Sequence, residues 1–132
     1  MRDVAAELAE IPLFASLSEE QRRDLADRFE VRVVGPGTRL VGEGAAGYSF
    51  FVLVEGRATA TAGDVVLRSL GQGDFFGEIG LLGNGPRTAT VTTTSESTVL
   101  VMFGTEFRRL EAELPATAAA VEAEMHARLS AG

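Results

Sequence analysis

Phe76-Gly77-Glu78-Ile79-Gly80-Leu81-Leu82-Gly83-Asn84-Gly85-Pro86-Arg87-Thr88-Ala89-Thr90-Val91 is the stretch from which the rest of the chain is read. It leaves an aromatic pair, passes through an apolar turn, and closes on a proline and an arginine ahead of an alternating strand. Gly77 has no Cβ, so backbone can approach a ligand closely there. Glu78 to Leu82 is long enough for one helical turn, whose first amides lack internal partners and attract an anion. Arg87 supplies a planar fork of donors suited to a phosphate. An acid at a helix start is ordinary, and so is an arginine beside a strand-opening proline. Together, flanking a free helix N-terminus, they suit a molecule that carries both hydroxyls and a phosphate.

Outward from this stretch the pattern is one of short strands. Glu30 to Val34 alternates, Gly35-Pro36-Gly37 turns the chain, and Arg39 to Val41 is a short strand broken by Gly42-Glu43-Gly44. Tyr48 to Val54 is a dense run of β-formers. Arg57 to Thr61 and Val65 to Leu70 flank Ala62-Gly63-Asp64, a compact hairpin connection. Gly71-Gln72-Gly73-Asp74 then leads into Phe75 and Phe76, which read as core aromatics. Thr88 to Thr94 places Ala89, Val91 and Thr93 on one face and Thr88, Thr90 and Thr92 on the other, and Val99 to Phe103 is the last strand. Strands this short, with turns every few residues, indicate a sandwich or closed roll and not a βαβ sheet.

Helices flank the strands. Residues 3–10 read as a short helix stopped by Ile11-Pro12. Ser18-Glu19-Glu20-Gln21 is a capping box that starts a helix carrying Leu25 and Phe29, with Leu17 as a staple ahead of the cap. Thr105 is placed to cap a helix holding Phe107, Leu110 and Leu114. Pro115 ends it and opens another, whose apolar stripe is Ala118, Val121, Met125 and Leu129.

Composition narrows the function. The 132 residues fit one domain, at 45% hydrophobic and 23% charged, and the apolar runs are far too short to span a membrane. The first residues lack an apolar core, so no signal peptide is expected and a cytoplasmic location is the default. Twelve basic against nineteen acidic residues give a net charge of −7, and there is no lysine, so nucleic-acid binding by this chain alone is not expected. With no cysteine and a single histidine, His126 on the last helix, neither a metal centre nor nucleophilic catalysis has its parts. That argues against a cupin-type enzyme, and no catalytic residue is assigned.

The stretch from Phe76 to Val91 closely resembles the phosphate-binding cassette of the cyclic nucleotide-binding domain family, which includes regulatory subunits of cyclic-AMP-dependent kinase, nucleotide-gated channels and bacterial catabolite activator proteins. The family pattern F-G-E-(I/L)-(A/G)-L-(L/I), then P-R-(T/S/A)-A-(T/S)-V, is met residue for residue. The resemblance implies a mainly β fold: an antiparallel, jelly-roll-like β-roll with short N-terminal helices and two C-terminal helices. It makes residues 1–132 a single domain, with N-terminal helices in 1–29, the roll in 30–103 with its cassette at 76–91, and hinge and lid helices in 104–130.

The resemblance also implies a ligand, cyclic AMP or cyclic GMP, with no further cofactor and no metal. Its binding residues would be Gly77, Glu78, Ile79, Gly80, Arg87, Thr88 and Ala89. Arg87 would take the exocyclic phosphate oxygens, assisted by the amides of Gly80 and Ala89, while Glu78 and the Gly77 backbone would hold the ribose 2′-hydroxyl. Thr88 is a good strand residue, and in relatives a threonine here also bonds the guanine amino group or the phosphate. Val121, Met125 and Leu129 would form a lid. The expected function is a sensor that changes shape on ligand binding and acts on an effector protein or a fused domain; the alternative is a β-roll scaffold with a non-responsive cassette. Bacterial activators carry a basic DNA-binding helix–turn–helix after the lid, which the sequence up to residue 132 does not include.

Overall fold

The computed structural model describes residues 3–41, 49–76 and 90–131, and the side chains of all of these except Val41 and residues 128–131. Two compact units are present, one comprising Met1–Phe29 with Thr105–Gly132 and the other Glu30–Gly104.

The β unit holds eight strands among the described residues: β1 (Glu30–Val34), β2 (Arg39–Val41), β3 (Ser49–Glu55), β4 (Ala58–Ala62), β5 (Val65–Leu70), β6 (Phe75–Phe76), β7 (Thr90–Thr93) and β8 (Ser97–Phe103). They form two antiparallel four-stranded sheets, ordered β1-β8-β3-β6 and β2-β7-β4-β5. The inward residues of both sheets meet in one core of Phe51, Leu53, Ala58, Ala60, Leu70, Phe76, Val91, Val99 and Val101, with Leu40 packed against it. This is the antiparallel β-roll that the family pattern implies. Residues 50–54 of β3 and 97–102 of β8 are buried on both faces, which is why these strands read as near-continuous apolar runs and not as alternation. β1 is the reverse case. Its alternating valines, Val31 and Val33, are exposed, on a strand at the edge of its sheet.

Tight geometry at the turns fixes the register. At Gly56, φ is +100°, and a Cβ there would run into Ser97 and lie 2.6 Å from the Glu96 carbonyl, so only glycine fits between β3 and β4. Gly63, at φ +58°, turns the β4–β5 hairpin where the sequence places it. The β4–β5 register then shifts between Ala60 and Thr61, leaving Leu67 as the extra residue of a β-bulge.

The helical unit holds α1 (Val4–Ala9), α2 (Pro12–Ala15), α3 (Glu19–Ala26), α4 (Gly104–Glu113, whose first residue still counts with the β unit) and α5 (Pro115–Ala131) among the described residues. Asp3 caps α1 by accepting from the Ala6 amide, and the capping box at Ser18 and Gln21 opens α3 with both reciprocal bonds made. Three local expectations are revised. Pro12 does more than stop α1: it occupies the first turn of α2, where its missing N–H has no bond to lose. Phe29 lies beyond the end of α3, yet is buried and meets Phe14 edge to face at 5.9 Å. Helix α4 begins at Gly104, so Thr105 falls inside it and is not its cap. Pro115 does open α5, as read from sequence, and α5 packs against α2.

Within the same unit Arg28 bonds Glu113 at 2.6 Å and Glu106 at 3.5 Å, tying the segment after α3 to α4. No helix among the described residues is long and apolar enough to cross a membrane.

Candidate functional site

Residues 77–89, and with them Gly77, Glu78, Ile79, Gly80, Arg87, Thr88 and Ala89, lie outside the described residues. The described chain on either side shows how the segment is held. Its entrance is β6, at the edge of one sheet, and its exit is β7, inside the other. Phe76 and Val91, which bracket it, both belong to the core between the sheets. The Phe76 ring lies flat on Phe51, with centroids 5.1 Å apart and planes 5° from parallel. Burial and stacking make Phe76 a core residue, as its sequence context indicates.

The entrance is tied down by a turn. The side chain of Asp74 accepts from the Gly71 amide at 2.7 Å, and the Asp74 amide donates to the Gly71 carbonyl at 3.1 Å. The same turn is stitched to β3, since Gly73 donates to the Leu53 carbonyl at 2.7 Å and Leu53 donates to the Asp74 carbonyl at 2.8 Å. Gly73, at φ +90°, takes the left-handed conformation that this turn requires.

The exit is tied down by Thr93. Its hydroxyl donates to the Gly35 carbonyl at 2.8 Å and accepts from the Thr38 amide at 2.9 Å, while its own backbone bonds Gly37 and Thr38. Val91 and Thr93 are buried and Thr90 and Thr92 only partly so, which is the facing read from the sequence for this part of the strand. Neither Asp74 nor the Thr93 hydroxyl was singled out from sequence as a support. The Gly-x-Gly-Asp spacing is a signal for the first, whereas a threonine in a threonine-rich strand carries none for the second.

Ionisation in the described structure is perturbed away from this segment. Beside Arg28, the Glu113 carboxyl is held below the ordinary range, mainly by the hydrogen bond and then by the charge. Burial pushes Glu122 up, neighbouring Glu111 adds to this, and His126 opposes it. Among the described residues no cluster of three acidic, histidine or cysteine side chains is arranged to hold a metal. Of the lid residues expected from the resemblance, Val121 and Met125 are fully buried on α5, and the Leu129 side chain lies outside those described.

A family model described as the cyclic nucleotide-binding domain matches residues 31–113. The chain belongs to the cyclic nucleotide-binding domain family. It is similar to the cAMP-dependent protein kinase regulatory subunit of Hypocrea atroviridis, 38% identical over 103 residues that make up 78% of this chain and 22% of that protein. The chain thus spans less than a quarter of that relative's length. Among solved structures, a regulatory subunit described as cAMP-bound PfPKA-R has a TM-score of 0.82 at 27% identity, covering 96% of this chain and 42% of that one. The catabolite activator protein of Thermus thermophilus has a TM-score of 0.77 at 27% identity over 90% of this chain and 58% of its own. As a cyclic nucleotide-binding domain, the chain keeps the Gly77-Glu78 and Pro86-Arg87 pairs of the family pattern between two strands fixed in the core.

Proposed function

We propose that residues 1–132 act as one regulatory domain that binds cyclic AMP, with cyclic GMP as a weaker second ligand, and passes occupancy through residues 104–130 to an effector protein or a fused domain. In this reading Arg87 holds the cyclic phosphate with the amides of Gly80 and Ala89, and Glu78 with the Gly77 backbone holds the ribose 2′-hydroxyl. Ile79 backs the turn, and Val121, Met125 and Leu129 serve as the lid. The domain is a binding module and not an enzyme, and it works in the cytoplasm. The carrying observation is that both halves of the family pattern occur in one segment whose two ends, Phe76 and Val91, are core residues of opposite sheets. Support for cyclic AMP comes from the relatives, since PfPKA-R is described with that ligand bound.

The base preference follows from chemistry. Phosphate and sugar are common to both nucleotides, and the Thr88 hydroxyl adds about 0.5–1.5 kcal/mol for guanine at most. A lid of aliphatic side chains penalises adenine less, because guanine has more polar edge to leave without partners. Calorimetric titration with cyclic AMP and cyclic GMP tests this directly. Arg87→Ala is expected to lose about 2–5 kcal/mol of binding free energy while keeping its circular dichroism, and Arg87→Lys to recover only part of it. Wild-type affinity in Arg87→Ala would remove the phosphate assignment, and a clear preference for cyclic GMP would remove the base assignment.

A further inference from the structure

The exposed edge of the β4–β5 hairpin is self-complementary, and we infer that it is a docking surface for the same edge of a second copy of this chain. β5 closes the second sheet, with β4 as its one neighbour among the described residues. Along it Val65, Val66 and Leu67 are 63%, 61% and 52% exposed, three successive apolar residues on a strand end that natural proteins ordinarily protect. Asp64 and Arg68, one on each side of this run, are exposed and make no ion pair with any described residue. Antiparallel pairing about a twofold axis at Val66 sets Val66 on Val66 and Val65 on Leu67. It also sets Asp64 of each copy opposite Arg68 of the other, an opposite-charge cross-strand pair made twice. Moving the register by one residue in either direction places Asp64 against Ser69 or Leu67 instead, and parallel pairing sets like charges together. One register therefore satisfies both the apolar run and its flanking charges.

The edge strand β1 of the other sheet lacks this property. The equivalent twofold pairing of β1, centred on Arg32, sets Arg32 on Arg32 and Glu30 on Val34. Arg32 is moreover already engaged, ion-paired with Glu30 at 2.7 Å and lying 5.6 Å above the Phe103 ring. The bulge at Leu67 limits the β5 patch to a few residues, with Arg68 just past it and long enough to reach across. Such a small interface makes a weak, concentration-dependent dimer and not an obligate one.

Sedimentation equilibrium of the whole chain, from about 10 µM to about 1 mM, reads the association against a monomer reference. Val66→Lys is expected to weaken dimerisation about tenfold or more, since an edge lysine blocks strand addition. Asp64→Arg and Arg68→Asp should each weaken it, and the double exchange Asp64→Arg with Arg68→Asp should restore it, because each charge pair is reversed and kept. Val33→Lys on β1 serves as the control and should leave the dimer intact. A chain monomeric throughout the range, a dimer indifferent to Val66→Lys, a double exchange no better than the singles, or a dimer that only Val33→Lys breaks would each overturn the assignment.

Discussion

Glu78 carries the most diagnostic residue-scale prediction of the proposed site. If its carboxylate accepts from the ribose 2′-hydroxyl, Glu78→Ala should cost about 1.5–3 kcal/mol of binding, the range for a hydrogen bond to a charged group. The chemical signature matters more than the size: the variant should lose most of its preference for cyclic AMP over 2′-deoxy cyclic AMP. Equal discrimination by both proteins in parallel titrations would take the ribose away from Glu78. Gly56 is its structural counterpart. A methyl group there meets Ser97 and the Glu96 carbonyl on a backbone with φ of +100°. Gly56→Ala should therefore lower stability by about 2–4 kcal/mol, combining left-handed strain with a steric clash, as read from urea midpoints.

Among the elements, β7 links the core to the proposed site. Thr93 is buried and its hydroxyl serves the 35–38 turn both as donor and as acceptor. Thr93→Val keeps the shape but takes the acceptor from the Thr38 amide, while the Gly35 carbonyl keeps its bond from the Thr38 hydroxyl, so a loss of about 1–3 kcal/mol is expected in chemical denaturation. An unchanged midpoint would mean that water replaces the hydroxyl without cost. Elements such as this also mark how far the sequence could be read. Strand order in the chain, the hairpin at Gly63, the capping box and the proline start of α5 were legible, because each depends on local backbone chemistry. β6 was not legible as a strand, since two phenylalanines become one only by pairing with β3. The four residues of α2 were hidden behind a proline that reads equally as a stop. Exposure of Val31 and Val33 was beyond the alternating pattern, which fixes the two faces of a strand but not whether anything covers either. The residues proposed to bind the ligand form a motif in the sequence, and they lie outside the described residues.

For the molecule as a whole, two carboxyls of the helical unit set opposing responses to pH. Glu113 is depressed by Arg28, so its contribution is fully present above the unfolded carboxylate value and fades as pH falls through the lower folded one. Glu122 is raised by burial and by Glu111, so at neutral pH its charge opposes folding, and protonation relieves this as pH falls through its raised value. Acidification should first remove the Glu122 penalty and only then the Glu113 benefit. Glu122→Gln should accordingly melt about 1–3 °C above wild type at pH 7, with the difference closing as the pH approaches the ordinary carboxylate range. A gap that stays constant across that range in thermal scans would refute the linkage.

The anchoring of the 77–89 segment at Phe76 and Val91 has a statistical consequence for any nucleotide that binds there. Bringing the two ends of a chain segment together costs entropy that grows with the logarithm of its length. Here that cost falls on the folding of the two sheets, since Phe76 and Val91 both belong to the core between them. The guest is spared it, and its contact energy goes further toward affinity. Trimming either anchor would shift part of the cost onto the nucleotide, which would then bind more weakly although every group that touches it is unaltered.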